Sequence, residues 1–101
     1  MESLSQIQKK HLKKLGHNLD PVVRLGNAGY TEAVLKEINI ALDHHELIKV
    51  KIPAEREQRK EIAAQICEET GAFLINSIGH IILIFKRNHG DPKIELPKAK
   101  K

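Results

Sequence analysis

Residues 22–31 read VVRLGNAGYT, and this stretch decides the architecture. Val22-Val23-Arg24-Leu25 is a short β-branched run that reads as a strand. It ends directly in Gly26-Asn27-Ala28-Gly29, and Thr31, a good N-cap residue, opens a helix two positions later. Val34, Leu35, Ile38, Ala41 and Leu42 form that helix's apolar stripe, with Glu32 and Lys36 placed to pair at i,i+4. A second strand follows from Leu47 to Ile52, with Ile48, Val50 and Ile52 on one face and Lys49 and Lys51 on the other. The lysines mark at least part of that second face as wet.

Working outward, Pro53 ends the strand and opens a third helix with Ile62, Ala63, Ile66 and Cys67 as its stripe, stopped at Gly71. Ala72–Asn76 and Ile81–Phe85 are short apolar runs separated by Ser77-Ile78-Gly79-His80, which reads as a terminal hairpin. Upstream, Leu4, Ile7, His11, Leu12 and Leu15 fall at helical spacing. Ser5 with Gln8 is placed to form a capping box, Gly16 sits where a C-cap glycine belongs, and Asn18–Pro21 reads as a turn. The order is αβαβαββ. Right-handed strand–helix–strand crossovers and a final antiparallel strand make an α/β fold with a four-stranded mixed sheet. Helices two and three are expected on one face, and helix one is free to cover part of the other. Residues 1–87 form the domain. Residues 88–101, with Gly90, Pro92, Pro97 and four lysines, show no core pattern and read as a basic flexible tail.

Length and composition fit one domain: 101 residues, 41% hydrophobic and 30% charged. Aromatics are limited to Tyr30, Phe73 and Phe85, too few for a sheet that stacks bases on exposed rings. The net charge of +4 is unevenly spread. Residues 1–52 hold 8 basic against 6 acidic side chains, residues 53–85 hold 3 against 5, and residues 86–101 hold 6 against 2. The acidic segment Glu55–Glu69 is expected to face away from any phosphate backbone. With Cys67 the only cysteine, an intrachain disulfide or cysteine-rich metal site is excluded, as suits a reducing compartment. No apolar run approaches a membrane span, and a cytoplasmic, soluble chain with no membrane partner is expected.

The glycine loop has the ingredients of a phosphate cradle: residues without a Cβ, and the unpaired N–H groups and positive dipole end of the following helix. A G-x-x-G pattern alone is more often a tight connection, and nothing extends it into a nucleotide fingerprint. Basic residues strengthen it. Arg24 lies two positions before the loop, Lys9, Lys10, Lys13 and Lys14 give helix one a basic platform, and Lys49, Lys51, Lys86 and Arg87 extend it.

At this point the chain resembles the CRM domain family (chloroplast RNA splicing and ribosome maturation), in its stand-alone bacterial YhbY form, over residues ~4–87. The resemblance rests on Leu12-Lys13, Gly16-His17 and Pro21, then Gly26-Asn27-Ala28-Gly29 with Thr31-Glu32. It continues through His45-Glu46-Leu47-Ile48-Lys49-Val50-Lys51, Thr70-Gly71, Ile78-Gly79 and the closing Lys86-Arg87. It implies a fold like the C-terminal domain of translation initiation factor three, with strand order 1-2-4-3 and the fourth strand antiparallel. It also implies RNA contact through the Gly26–Gly29 loop, which Tyr30 and Thr31 continue into the start of helix two as candidate contacts, and a role in ribosome maturation on large-subunit precursor RNA. The loop centre, Asn27-Ala28, is uncharged where family loops often carry a basic residue, which shifts the attraction onto Arg24 and the helix-one lysines.

Two other classes compete. His44-His45 invites a metal or acid/base role, but adjacent residues point about 100° apart on a helix and lack the i,i+4 spacing of helical zinc sites. No H-E-x-x-H, G-x-S-x-G or Cys/His cluster is present, so neither an enzyme nor a cofactor is expected. An assembly factor docking on ribosomal proteins through Glu55, Glu57, Glu61, Glu68 and Glu69 is the second alternative. A general DNA binder is a neighbour of the RNA reading, although no Arg/Asn/Gln-rich recognition helix is visible. RNA in pre-ribosomal particles is the expected partner, bound by a monomer.

Overall fold

A computed structural model of the chain describes residues 4–97. The elements run α1 (Gln6–Gly16), β1 (Pro21–Arg24), α2 (Glu32–His45), β2 (Leu47–Lys51), α3 (Arg56–Thr70), β3 (Phe73–Ile78) and β4 (Ile81–Phe85). The four strands make one sheet in the order β1-β2-β4-β3, with β1 parallel to β2 and β4 antiparallel to both neighbours. This is the αβαβαββ fold expected from the sequence.

Local chemistry sets most of the boundaries. Ser5 and Gln8 form a reciprocal capping box at the start of α1. The Thr31 hydroxyl accepts the Val34 N–H at the start of α2. Gly71, at φ +79°, takes the left-handed position that ends α3. The hairpin is tighter than the sequence suggests: β3 continues to Ile78, so only Gly79-His80 turn the chain, with Gly79 at positive φ. The third helix starts later than Pro53, at Arg56, because Ala54 N–H first turns back to the Ile52 carbonyl.

Strand alternation splits the interior in two. Val23, Ile48, Val50, Ile52, Ile82 and Ile84 face α2 and α3, where Ile38, Leu42, Ala63 and Ile66 complete the larger core. Leu47, Ile75, Leu83 and Phe85 face the other way and meet Leu12 of α1. Helix one therefore covers part of the second face, which settles the position left open by the sequence. Gly16 makes that approach possible. A Cβ there would lie 2.4 Å from Leu83 Cδ2, so its role is close packing, and it is not a left-handed C-cap as its place in the sequence suggests.

The segment after β4 also departs from expectation. Residues 88–97 stay largely exposed but are tied down, with half-buried Ile94 and Leu96 against the second core and Gln8 Nε2 donating to the Pro97 carbonyl. The physical reason is Glu46, which is fully buried at the junction of α2 and β2. Its Oε1 accepts the N–H groups of Lys93 and Ile94 (2.8 Å each), and its Oε2 accepts that of Asn88 (2.6 Å). Arg87 Nη1 donates to both oxygens at 3.1 and 3.2 Å and to the Ile94 carbonyl. Burial pushes the Glu46 carboxyl up, but these three N–H groups and the Arg87 guanidinium outweigh it and hold the group below the ordinary carboxylate value. The last four tail residues, 98–101, lie outside the described part. Among the described residues, no helix is long and apolar enough to cross a membrane.

Candidate nucleic-acid interface

Gly26-Asn27-Ala28-Gly29 is a tight turn closed by the Gly29 N–H on the Gly26 carbonyl (2.9 Å). The loop neck is anchored to the sheet, because Leu25 N–H donates to the Lys51 carbonyl. Asn27 and Ala28 project into solvent, and their N–H groups bond to nothing among the described residues. The two glycines differ. Gly29 sits at φ +76°, where L side chains are strained, whereas Gly26 does not, and a Cβ on either would meet open space. Gly29 is thus required by the turn, and Gly26 leaves room for an approaching backbone.

The neighbours of the loop have mixed fates. Thr31 uses its hydroxyl as the N-cap. Tyr30 packs against the larger core and donates its hydroxyl to Glu69 Oε1 of α3 at 2.6 Å. Burial first, and then Glu69, push its phenol well above the usual range. Tyr30 therefore ties the loop to α3. In the first turn of α2 the exposed Glu32 carboxylate already answers the helix dipole, which reduces what that terminus offers an anion.

The register explains how the basic residues meet. Arg24 pairs with Lys51, Lys51 with Ile81, and Ile81 with Ile78. Paired residues share a face, so these four side chains form one row across the sheet on the α1 side. One strand-end further in, Lys49 pairs with Leu83 and Leu83 with Asn76. Helix α1 and the tied-down tail cover the Leu47–Phe85 end of this face and leave the Arg24–Ile78 end open. Arg24 is exposed there, while Lys49 and Lys51 are half-buried along their stems. Lys13 and His17 of α1 close in beside Lys49, and Lys9 and Lys10 continue along the helix toward Ile75. A strip of positive charge therefore runs from the loop, across the sheet and onto α1. Lys14 is exposed in the last turn of the same helix, away from the groove lined by Lys13 and Lys49.

Lys86 and Arg87 are not part of this strip. They follow β4 at its Phe85 end, which pairs with Leu47, whereas the loop adjoins the Lys51–Ile81 end. Four residues of strand, roughly 13 Å, separate the two ends. Arg87 is also engaged internally with Glu46 and lies over the Phe85 ring at 5.6 Å. The expectation that this pair extends the basic platform is replaced by a structural role for Arg87. Lys86 Cε instead lies near Gly71, 3.9 Å from where a Cβ there would stand.

Sequence reasoning missed His17, Asn76, Ile78 and Ile81 as residues of the same face, because only the register brings them together. It also took the segment from Glu55 to Glu69 as acidic on balance, without separating the faces of the helix. Arg56, Arg59 and Lys60 line a groove between α3 and the edge strand β3, so that side of the helix is basic. A helical projection of residues 56–60 carries that signal in principle.

Comparisons with known proteins agree with this architecture. Residues 4–86 match the model of the CRS1 / YhbY (CRM) domain. An RNA-binding protein of Haemophilus influenzae is 48% identical over 99 residues, covering 97% of this chain and 99% of that one. A probable RNA-binding protein of Pseudomonas aeruginosa is 42% identical over 87 residues, covering 85% and 84%. The solution structure of a hypothetical Staphylococcus aureus protein, described as a candidate for RNA binding, superposes with a TM-score of 0.80 at 35% identity, over 94% of this chain and all of that one. With the family model spanning residues 4–86 and relatives of 42–48% identity matched over more than four fifths of both chains, the chain belongs to the CRS1 / YhbY (CRM) domain family.

Proposed function

We propose that this chain is a non-catalytic RNA-binding protein that contacts ribosomal RNA, in particular precursor RNA of the large subunit, during ribosome maturation. One observation carries the RNA part: the register sets Arg24 and Lys51 side by side at the neck of an exposed glycine turn whose central N–H groups are unpaired. Phosphates bind to such a surface through point charges and backbone donors, without demanding a base sequence. The names of the matched relatives support the same reading. The ribosomal part rests on the resemblance to stand-alone bacterial CRM proteins. In this reading the turn positions one backbone phosphate, Arg24, Lys51, Lys49 and Lys13 supply most of the attraction, and Lys9, Lys10 and Lys14 extend it. The protein acts as a cytoplasmic monomer and needs no cofactor.

Salt-dependent anisotropy with a labelled single-stranded RNA tests this. Each phosphate contact contributes about 0.7 to the slope of log affinity against log salt for single strands. Arg24→Gln with Lys51→Gln should therefore lower the slope by about 1.4. An unchanged slope in the folded double variant removes this strip from the interface.

A further inference from the structure

A groove between α1 and the open end of the sheet has a composition that phosphate binding does not explain. Its volume is about 150 Å³, and its floor is Leu83, Ile81 and Ile78, all aliphatic. Ile78 is 68% exposed, which is unusual for a side chain of that size in a strand. Lys13 and His17 line it from α1, and half-buried Lys49, paired with Leu83, lines it from the sheet. Asn76 is the one amide in the lining. Its Oδ1 accepts the N–H of Ser77 at 3.0 Å, which leaves Nδ2 unbonded among the described residues. The site is thus a small slot with an aliphatic floor, one free amide donor in Asn76, and Lys13, Lys49 and His17 beside it.

We infer that this groove takes a single unstacked base of single-stranded RNA, held edge-on by Asn76 and flat against Ile78, Ile81 and Leu83. The inference rests on the RNA-binding reading above and adds to it a base-binding subsite. A cavity of this volume accepts one six-membered aromatic ring, as an engineered apolar cavity of about 150 Å³ accepts benzene. Bases that are splayed out of the stack bury their faces on protein and satisfy their edges with side-chain hydrogen bonds. Here the chain has almost no aromatic residue to stack on, and the aliphatic floor takes that place. Nδ2 of Asn76 suits a base edge that presents a carbonyl or ring-nitrogen acceptor. Lys13 and Lys49 are placed for the phosphates on either side of the base. The groove also continues the row that starts at the loop: Arg24 and Ile81 are two strands apart, about 10 Å. A strand of RNA leaving the glycine turn along that row reaches the slot within a few nucleotides.

The test uses the full chain and two ligands of equal length: a single-stranded oligouridine and the same oligomer with abasic riboses. The inference predicts tighter binding of the oligouridine. Ile78→Ser and Asn76→Ala should each weaken it about three- to tenfold, the range expected for one lost hydrogen bond or a comparable apolar contact. Neither variant should change affinity for the abasic strand. Ile78 is largely outside the core, so its variant should melt within a few degrees of the parent. As an independent measurement, irradiation of a 4-thiouridine-substituted strand should place crosslinks between residues 73 and 85. Equal affinity for the base-bearing and abasic strands, or crosslinks confined to residues 24–31, overturns the base subsite while RNA binding stands. Absence of binding to either strand overturns the RNA-binding reading itself.

Discussion

Glu46 offers the sharpest test of how the fold is held together. Its carboxylate is fully buried and accepts three backbone N–H groups and the Arg87 guanidinium. Glu46→Gln keeps the shape and replaces one oxygen by an NH₂ group that faces donors. Removing one partner of a buried, hydrogen-bonded ion pair costs about 3–5 kcal/mol. Arg87 is 21% exposed and can turn its charge toward water, so the lower end, about 3 kcal/mol, applies. For a domain of this size that lowers the thermal midpoint by roughly 10–20 °C. Glu46 also sits at φ +63°, the one non-glycine at positive φ among the described residues. Glu46→Gly relieves that strain, and Glu46→Ala retains it while losing the same carboxylate, so the alanine variant should be about 1 kcal/mol less stable than the glycine one. Thermal and urea unfolding followed by circular dichroism measures all three. A glutamine variant melting within 3 °C of the parent would refute the reasoning, because it would mean the four donors find equal partners elsewhere.

The same site sets an acid limb. A carboxyl held below its unfolded value contributes stability that is complete above the unfolded pKa of about 4.3 and lost as pH falls through the lower folded value. Urea midpoints between pH 6 and 2 should fall across that window, and less steeply in Glu46→Gln. Truncation after Arg87 reads as harmless from sequence, but it removes Ile94, Leu96 and three donors to Glu46, and should cost at least as much as the glutamine variant on the same melting assay. Gly16→Ala should destabilise by about 1 kcal/mol, the cost of overpacking against Leu83 exceeding the gain in helix propensity, as read by urea midpoint. Gly29→Ala should cost about 1 kcal/mol for its positive φ and Gly26→Ala much less, and calorimetry distinguishes them.

What was legible in the sequence was local. Ser5 with Gln8, Thr31, and Gly71 each act within four residues of themselves, and the stripe of α2 follows from its own periodicity. The alternation of Leu47–Ile52 likewise announced two faces, one carrying Lys49 and Lys51. Glu46 was hidden because its partners lie 41 to 48 positions away, and in sequence it is one more acidic residue between a helix and a strand. Gly16 was misread for the same reason: a glycine near a helix end suggests a cap, and only the tertiary approach to Leu83 reveals its use. In the tail, prolines and lysines masked Ile94 and Leu96, whose spacing suits an extended segment docking on a core.

The candidate interface divided along the same line. The turn and Arg24 lie two positions apart in the chain and were found together. Lys51, Ile81 and Ile78 join them only through the strand register, and register is a property of pairing that no single strand encodes. Lys86 and Arg87 were grouped with the loop by charge alone, and the antiparallel direction of β4 carries them to the opposite end of the sheet.

The central claim is that RNA lies on the strip from the glycine turn across Arg24 and Lys51 to α1. Titrating the ¹⁵N-labelled chain with a short single-stranded RNA at low salt, and following its amide resonances, tests this most directly. The account predicts shifts concentrated at residues 24–29, 49–51 and 9–17, with Lys86, Arg87 and the acidic side of α3 little affected. Shifts centred on α3 or on the Phe85 end of the sheet, with the turn unmoved, would contradict it.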